Sequence, residues 1–190
     1  MKTLARMIPL MLLFLLSACS AAKSGGQELA LDIRANLLKA TKIDMTADVT
    51  ANYDDRTYQF TLTYSGNADR GTVVISAPKE VAGLKAEVSV SGGTISYDGA
   101  NLDTGPLTGD GLSPAEAVPV LISQWETGYI SGCNYEKLGD DQALAVSTDV
   151  TETVSQRTWF DVKTQLPIRA ELSDGGRLVI ACVFKNAAVE

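Results

Sequence analysis

Residues 157–184 read RTWFDVKTQLPIRAELSDGGRLVIACVF, and their periodicity decides the fold. Arg157–Val162 is rich in aromatic and branched side chains, and the spacing predicts a strand running into a turn over Lys163–Pro167. Beyond the turn Ile168, Ala170 and Leu172 alternate with Arg169 and Glu171, a period of two that predicts a half-buried strand. Ser173-Asp174-Gly175-Gly176 is a strong hairpin signal. Arg177–Phe184 returns as the closing strand. Both of its faces are apolar, with Leu178, Ile180, Cys182 and Phe184 on one and Val179, Ala181 and Val183 on the other. Such a strand is expected to be covered on both sides, by a helix on one and a partner chain on the other.

The same period continues upstream. Met45, Ala47, Val49 and Ala51 alternate with polar residues from Asp44 onward, and Tyr58, Phe60, Leu62 and Tyr64 alternate with Thr57, Gln59, Thr61 and Thr63. Thr72–Ala77, Leu84–Ser91, Thr94–Tyr97 and Ala100–Asp103 extend the meander through glycine-bearing turns. Asn134–Leu138 and Gln142–Val150 form a further pair around Gly139-Asp140-Asp141. Two segments break the pattern. Gln27–Lys42 repeats Leu29, Ile33 and Leu37 every four residues. Ser113–Tyr129 carries Val118, Leu121, Ile122, Trp125 and Tyr129 on one stripe. Ser113, Pro114 and Glu116 read as N-cap, first helical residue and capping-box partner. Pro119 is expected to kink this helix or delay its start. About ten short antiparallel strands and two helices with apolar faces define an α+β chain. The helices can bury their faces only on the sheet, so a large curved antiparallel sheet is expected to wrap two or three helices.

The amino terminus adds a location. Lys2 and Arg6 precede a ten-residue apolar core, Met7–Leu16, too short for a bilayer span, which takes about 20 apolar residues; this is a secretory leader and takes no part in the fold. Leu16-Ser17-Ala18-Cys19 resembles the lipobox of bacterial lipoproteins. The resemblance implies cleavage before Cys19 and acylation of that residue. Residues 1–18 are then the signal peptide, residues 19–26 a lipidated cysteine with a short flexible tether, and residues 27–190 one domain. Several acyl chains give stable anchoring, since each buried methylene contributes about 0.8 kcal/mol. The expected place is the extracytoplasmic face of the cell membrane, lipid-anchored.

Composition excludes several classes of function. The net charge is −7. Loss of Lys2 and Arg6 with the leader takes it to −9, the wrong sign for binding nucleic acid. The chain has no histidine, which removes histidine-based nucleophile pairs, zinc sites and proton shuttles. Carboxylate chemistry and calcium binding survive that test. The paired acids Asp54-Asp55 and Asp140-Asp141 fall in turns, where Asp bonds its own backbone. The stretch Asp98–Asp110 lacks the spacing and closing Glu of an EF-hand loop. No catalytic residue, metal site or cofactor is assigned. Cys133 and Cys182 are 49 residues apart; a disulfide between them would be worth about 4 kcal/mol in chain entropy, and two buried thiols are the alternative.

The segment Trp159-Phe160-Asp161-Val162-Lys163-Thr164-Gln165-Leu166-Pro167 resembles a W-x-D-x-x-T-G-L-P segment of the lipoprotein-localisation family of LolA, LolB and LppX, to which the clostridial lipoprotein GerS is related. Gln165 stands where that pattern has glycine. The element order is similar along nearly all of the mature chain. The resemblance implies an open half-barrel with helices in its concavity, and two uses for it. One is a groove between sheet and helices that holds a lipid, an acyl chain or a lipoprotein, for which the candidate lining is Phe60, Leu62, Leu121, Ile122, Trp125 and Ile180. The other is a GerS-like tethered scaffold that binds and regulates an envelope protein such as a cell-wall amidase. Neither is enzymatic. The shape of the space under the second helix separates them: a filled core favours the scaffold and an open apolar slot the carrier.

Overall fold

The computed structural model describes residues 26–67, 70–89, 92–105 and 109–190. The leader, Cys19 and residues 20–25 lie outside the described residues, as does part of the 98–110 stretch. Helix α1 spans residues 26–39 and helix α2 spans Pro114–Thr127. Strands β1–β6 are Ile43–Tyr53, Arg56–Gly66, Arg70–Ala77, Lys85–Ser89, Gly92–Tyr97 and Ala100–Gly105. Strands β7–β11 are Ile130–Leu138, Asp141–Asp149, Val154–Asp161, Pro167–Asp174 and Arg177–Val189. They form one open antiparallel sheet of 11 strands in the order β6-β5-β4-β3-β2-β1-β11-β10-β9-β8-β7.

Two sequential meanders are joined at β1 and β11, where Ile43 pairs Val189 and Ala51 pairs Ile180. The pairing slips between Thr46 and Ala47, a bulge of the kind that bends a strand. The alternation read from the sequence becomes an inner and an outer face. Ile43, Met45, Ala47, Val49 and Ala51 are buried while the residues between them are half-buried. The inner face packs on α1 through Ala30, Ile33 and Leu37, and on α2 through Ala117, Val118, Leu121, Ile122 and Trp125, in one continuous core.

Helix α2 departs from expectation at its start. Ser113 has the extended backbone of an N-cap, φ −108° and ψ 150°, but its side chain makes no cap bond, so the capping box is not formed. Pro119 sits inside an uninterrupted helix. An interior proline costs about 3 kcal/mol. Burial of Val118, Leu121, Ile122 and Trp125 offsets this, at about 1.5–3 kcal/mol for each large side chain.

The turn after Trp159-Phe160 is built by Asp161. Its Oδ1 accepts the backbone N–H of Lys163 at 2.9 Å and of Thr164 at 2.6 Å, and the Thr164 hydroxyl at 3.0 Å. The Asp161 N–H donates to the Leu166 carbonyl at 2.9 Å. Gln165 takes φ +61°, a left-handed conformation that glycine adopts at little cost and other residues resist. The glycine of the resembling pattern is therefore a conformational requirement, and Gln165 meets it under strain. Gly175 and Gly176 take φ +56° and +81° in the β10–β11 hairpin, as the Asp-Gly-Gly signal requires.

Candidate binding surfaces

The concave side is where a lipid slot was expected. Leu62, Leu121 and Ile180 are 0% exposed, Ile122 is 1% and Trp125 is 5%. Side chains lining a slot wide enough for an acyl chain would border open space, and these border one another. Trp125 meets the rings of Phe160 and Phe184 edge-on, at centroid distances of 5.5 and 5.8 Å. Phe60 differs, being half-buried at the margin of the core.

A polar knot lies within this apolar interior, which the period-two reading did not single out. The Trp125 indole N–H donates to Thr158 Oγ1 at 2.8 Å, and Gln156 Nε2 donates to the same oxygen at 3.2 Å. Thr148 faces Gln156 across β8 and β9. The Thr148 hydroxyl and Gln156 Oε1 have no partner in the structure. The only sequence signal was polar residues at inward positions of β8 and β9.

The two helices are clamped by Arg34. Its Nε donates to the Trp125 carbonyl at 2.9 Å and its Nη2 to the Gly128 carbonyl at 2.5 Å. Helix α2 has no basic residue in its last turn. Arg34 reaches over from α1 to place a cation on the carbonyls that end it, where the helix dipole is negative.

A cleft of about 340 Å³ lies between the end of α1, the β9–β10 turn and the end of β11, with Ile33, Leu37, Leu166 and Val189 among its walls. Asn36 Nδ2 donates to Gln165 Oε1 across it at 2.8 Å.

The outer face is open. Of the cover expected for β11, the helical side is present, with Ile180, Cys182 and Phe184 buried under the helices, whereas on the side expected to meet a partner chain Val179 and Ala181 are half-buried and Val183 is 47% exposed. Both helices pack on the same face of the sheet, and among the described residues no helix covers the other. A cleft of about 490 Å³ runs past Val183 between Gln59, Thr61, Pro78 and Lys185. Lys185 pairs with Asp48 at 2.6 Å, and Thr61 donates to the same carboxylate at 2.8 Å. These contacts, Lys185 first, hold the Asp48 carboxyl below its ordinary range. Toward β7 the same face carries Trp159 with Ala143 and Ala145. Two guanidiniums flank its ring, Arg157 at 5.1 Å and Arg169 at 5.7 Å, and its N–H donates to Glu136 at 2.9 Å.

Cys133 and Cys182 are free thiols, which corrects the disulfide alternative. They stand on β7 and β11, four strand spacings apart in the sheet, or about 19 Å along it at the usual spacing, against a Cα limit of about 7 Å for a bridge. Burial pushes the Cys182 thiol up to about 12. Asp54-Asp55 turn β1 into β2, and Asp140 lies in the turn before β8, which Asp141 opens. Among the described residues no acidic or cysteine side chains cluster as a metal would need, and no helix is long and apolar enough to cross a membrane.

No protein-family model matches the chain, and no curated protein does. Solved structures do. A DUF1329 family protein from Desulfovibrio piger is 10% identical, over 89% of this chain and 93% of its own, with a TM-score of 0.53. A domain named for outer membrane lipoprotein sorting, from Vibrio parahaemolyticus, is 11% identical over 88% and 93%, with a TM-score of 0.53. A conserved protein of Thermus thermophilus is 10% identical over 87% and 88%, with a TM-score of 0.54. At these identities the likeness is one of fold. The architecture is the LolA-like one that the Trp159–Pro167 segment resembles: a large unclosed antiparallel sheet with two helices on one face.

Proposed function

We propose that this chain is a membrane-anchored, extracytoplasmic lipoprotein that works without catalysis, as a tethered scaffold binding another envelope protein on the outer face of its sheet. The observation that carries this reading is a contrast. The side chains that would line an internal lipid slot, Phe60 apart, are packed on one another, whereas among the described residues no helix covers the apolar stripe Val179, Ala181 and Val183 on the opposite face. A fold shared with a domain named for outer membrane lipoprotein sorting supports an envelope setting. The lipobox-like Leu16-Ser17-Ala18-Cys19 supports the anchor. Carriage of lipid in the concavity, the other reading of the fold, would require α2 to leave a core in which Trp125 touches both Phe160 and Phe184.

The test uses the acylated chain purified from its own envelope. Native mass spectrometry is expected to show the covalent acyl chains and no stoichiometric free lipid. A photo-crosslinker at Val183 is expected to yield one discrete protein adduct, absent when the crosslinker stands at Lys137 on β7. One bound lipid per chain would restore the carrier reading, and a featureless adduct pattern would end the scaffold reading.

A further inference from the structure

Of the exposed large apolar side chains, three belong to α1 and the residue that follows α2: Leu31 and Leu38 on α1, 51% and 59% exposed, and Tyr129 after α2, 79% exposed. Residues in a helix advance by about 100° each, which puts Leu38 and Leu31 roughly 40° and 60° around α1 from Arg34, on the side away from the core residues Ile33 and Leu37. Arg34 is bonded to the Gly128 carbonyl, and Tyr129 follows directly. Leu31 and Leu38 thus lie beside Arg34 on one side of α1, and Tyr129 follows the residue that Arg34 holds at the end of α2.

From this geometry we infer that the patch rests on the bilayer, with Leu31, Leu38 and Tyr129 set into the headgroup boundary of the membrane that holds the anchor. The inference rests on the reading of Cys19 as the acylated residue. The patch lies where such an anchor would bring it. Gly26 opens α1 and lies against Tyr135 and Leu144. Leu31 follows five residues later, about 7.5 Å along the axis. Six residues lie between Cys19 and Gly26, so the seven chain steps reach at most about 25 Å. An acylated Cys19 therefore keeps the start of α1 within that distance of lipid. Leucine and tyrosine suit the site, one apolar throughout and the other an apolar ring with a polar tip. The exposed acids Glu28 and Asp32 on the same helix favour a zwitterionic over an anionic surface. With the helical side down, the outer face of the sheet and Val183 point away from the membrane.

The test places the acylated full chain in phosphatidylcholine vesicles whose acyl chains carry bromine, which quenches nearby indoles. Trp125 and Trp159 are buried and form a common background. The Tyr129→Trp chain is expected to lose most of its added emission in brominated vesicles, and the Val183→Trp chain to keep its own. Leu31→Ser with Leu38→Ser is expected to restore emission to Tyr129→Trp. A chain whose mass shows an unmodified Cys19 overturns the anchor and this inference with it. An acylated chain with Tyr129→Trp unquenched, or with Val183→Trp quenched in its place, overturns the membrane-facing patch alone.

Discussion

The side-chain amide of Asn36, on the last turn of α1, donates to the side-chain oxygen of Gln165 at 2.8 Å, joining the helix to a turn that holds Gln165 at φ +61°. The strained residue is thus also the one that spans the cleft. Relief of the strain and loss of the span oppose each other on substitution. Gln165→Gly is expected to stabilise the Asn36→Ala chain by up to about 1 kcal/mol, since the bond is already absent there and only strain is removed. In the natural chain the gain is expected to be smaller by about 0.5–1 kcal/mol, the usual worth of a hydrogen bond. Urea melts of the four chains give the coupling directly. Equal effects in both backgrounds would show that the bond contributes nothing.

Trp125 reports whether α2 belongs to the core or covers it. Trp125→Ala is expected to cost about 4 kcal/mol, in the range for a large aromatic in a packed interior. Trp125→Phe should cost less, because a phenyl ring keeps filled much of the space that alanine would leave empty. A loss below about 1 kcal/mol for the alanine variant would mean that the helix lifts away readily.

Part of the acid sensitivity should come from the β9–β10 turn. The Thr164 backbone N–H, followed by its hydroxyl and the Lys163 N–H, holds the Asp161 carboxyl below its ordinary range, against a smaller opposing effect of burial. A carboxyl lowered in the folded state contributes stability above its unfolded pKa and loses it as pH falls through the folded value. The natural chain is therefore expected to lose stability below about pH 4, and Asp161→Asn to show a shallower fall over that interval. Chemical denaturation at pH 6, 4 and 3 checks the slope, and parallel curves would remove Asp161 from the account.

Thiol counting tests the cysteines and the anchor together. In denaturant without reductant, the chain extracted from membranes is expected to titrate two thiols, Cys133 and Cys182. Three would leave Cys19 unmodified, and none would mean that the pair is bridged. Under native conditions Cys133, half-buried, is expected to react, and Cys182, fully buried, to stay silent.

Much of the architecture could be read because two periods alternate cleanly. The stripe Val118, Leu121, Ile122 and Trp125 admits only a helix, and Asp174-Gly175-Gly176 admits little besides a hairpin. The misreadings have local causes. Pro119 was expected to kink the helix or delay its start, and the start at Pro114 is not delayed: propensity is scored without the burial that outweighs it. The capping box at Ser113 was a pattern of side chains whose hydroxyl did not turn inward. The two apolar faces of β11 were legible, but the sequence does not say that both helices choose the same one. The Asn36–Gln165 bond joins residues 129 apart, and Arg34 finds the end of α2 at a separation of 94. Neither pairing has a local signal. The candidate lining could be named as apolar, but whether such residues enclose a space or fill it depends on how closely α2 approaches the sheet, which no periodicity encodes.

The junction of β1 with β11 sets a schedule. Ile43 bonds to a strand whose partner residue, Val189, is made 146 positions later. Until then the first six strands form one unfinished sheet and the next four another, each showing a bare edge. Closure over so long a separation is slow, and such edges invite mispairing while they wait. The same junction makes the last strand the point of greatest vulnerability, where removing a dozen residues would leave two half-sheets with nothing to join them.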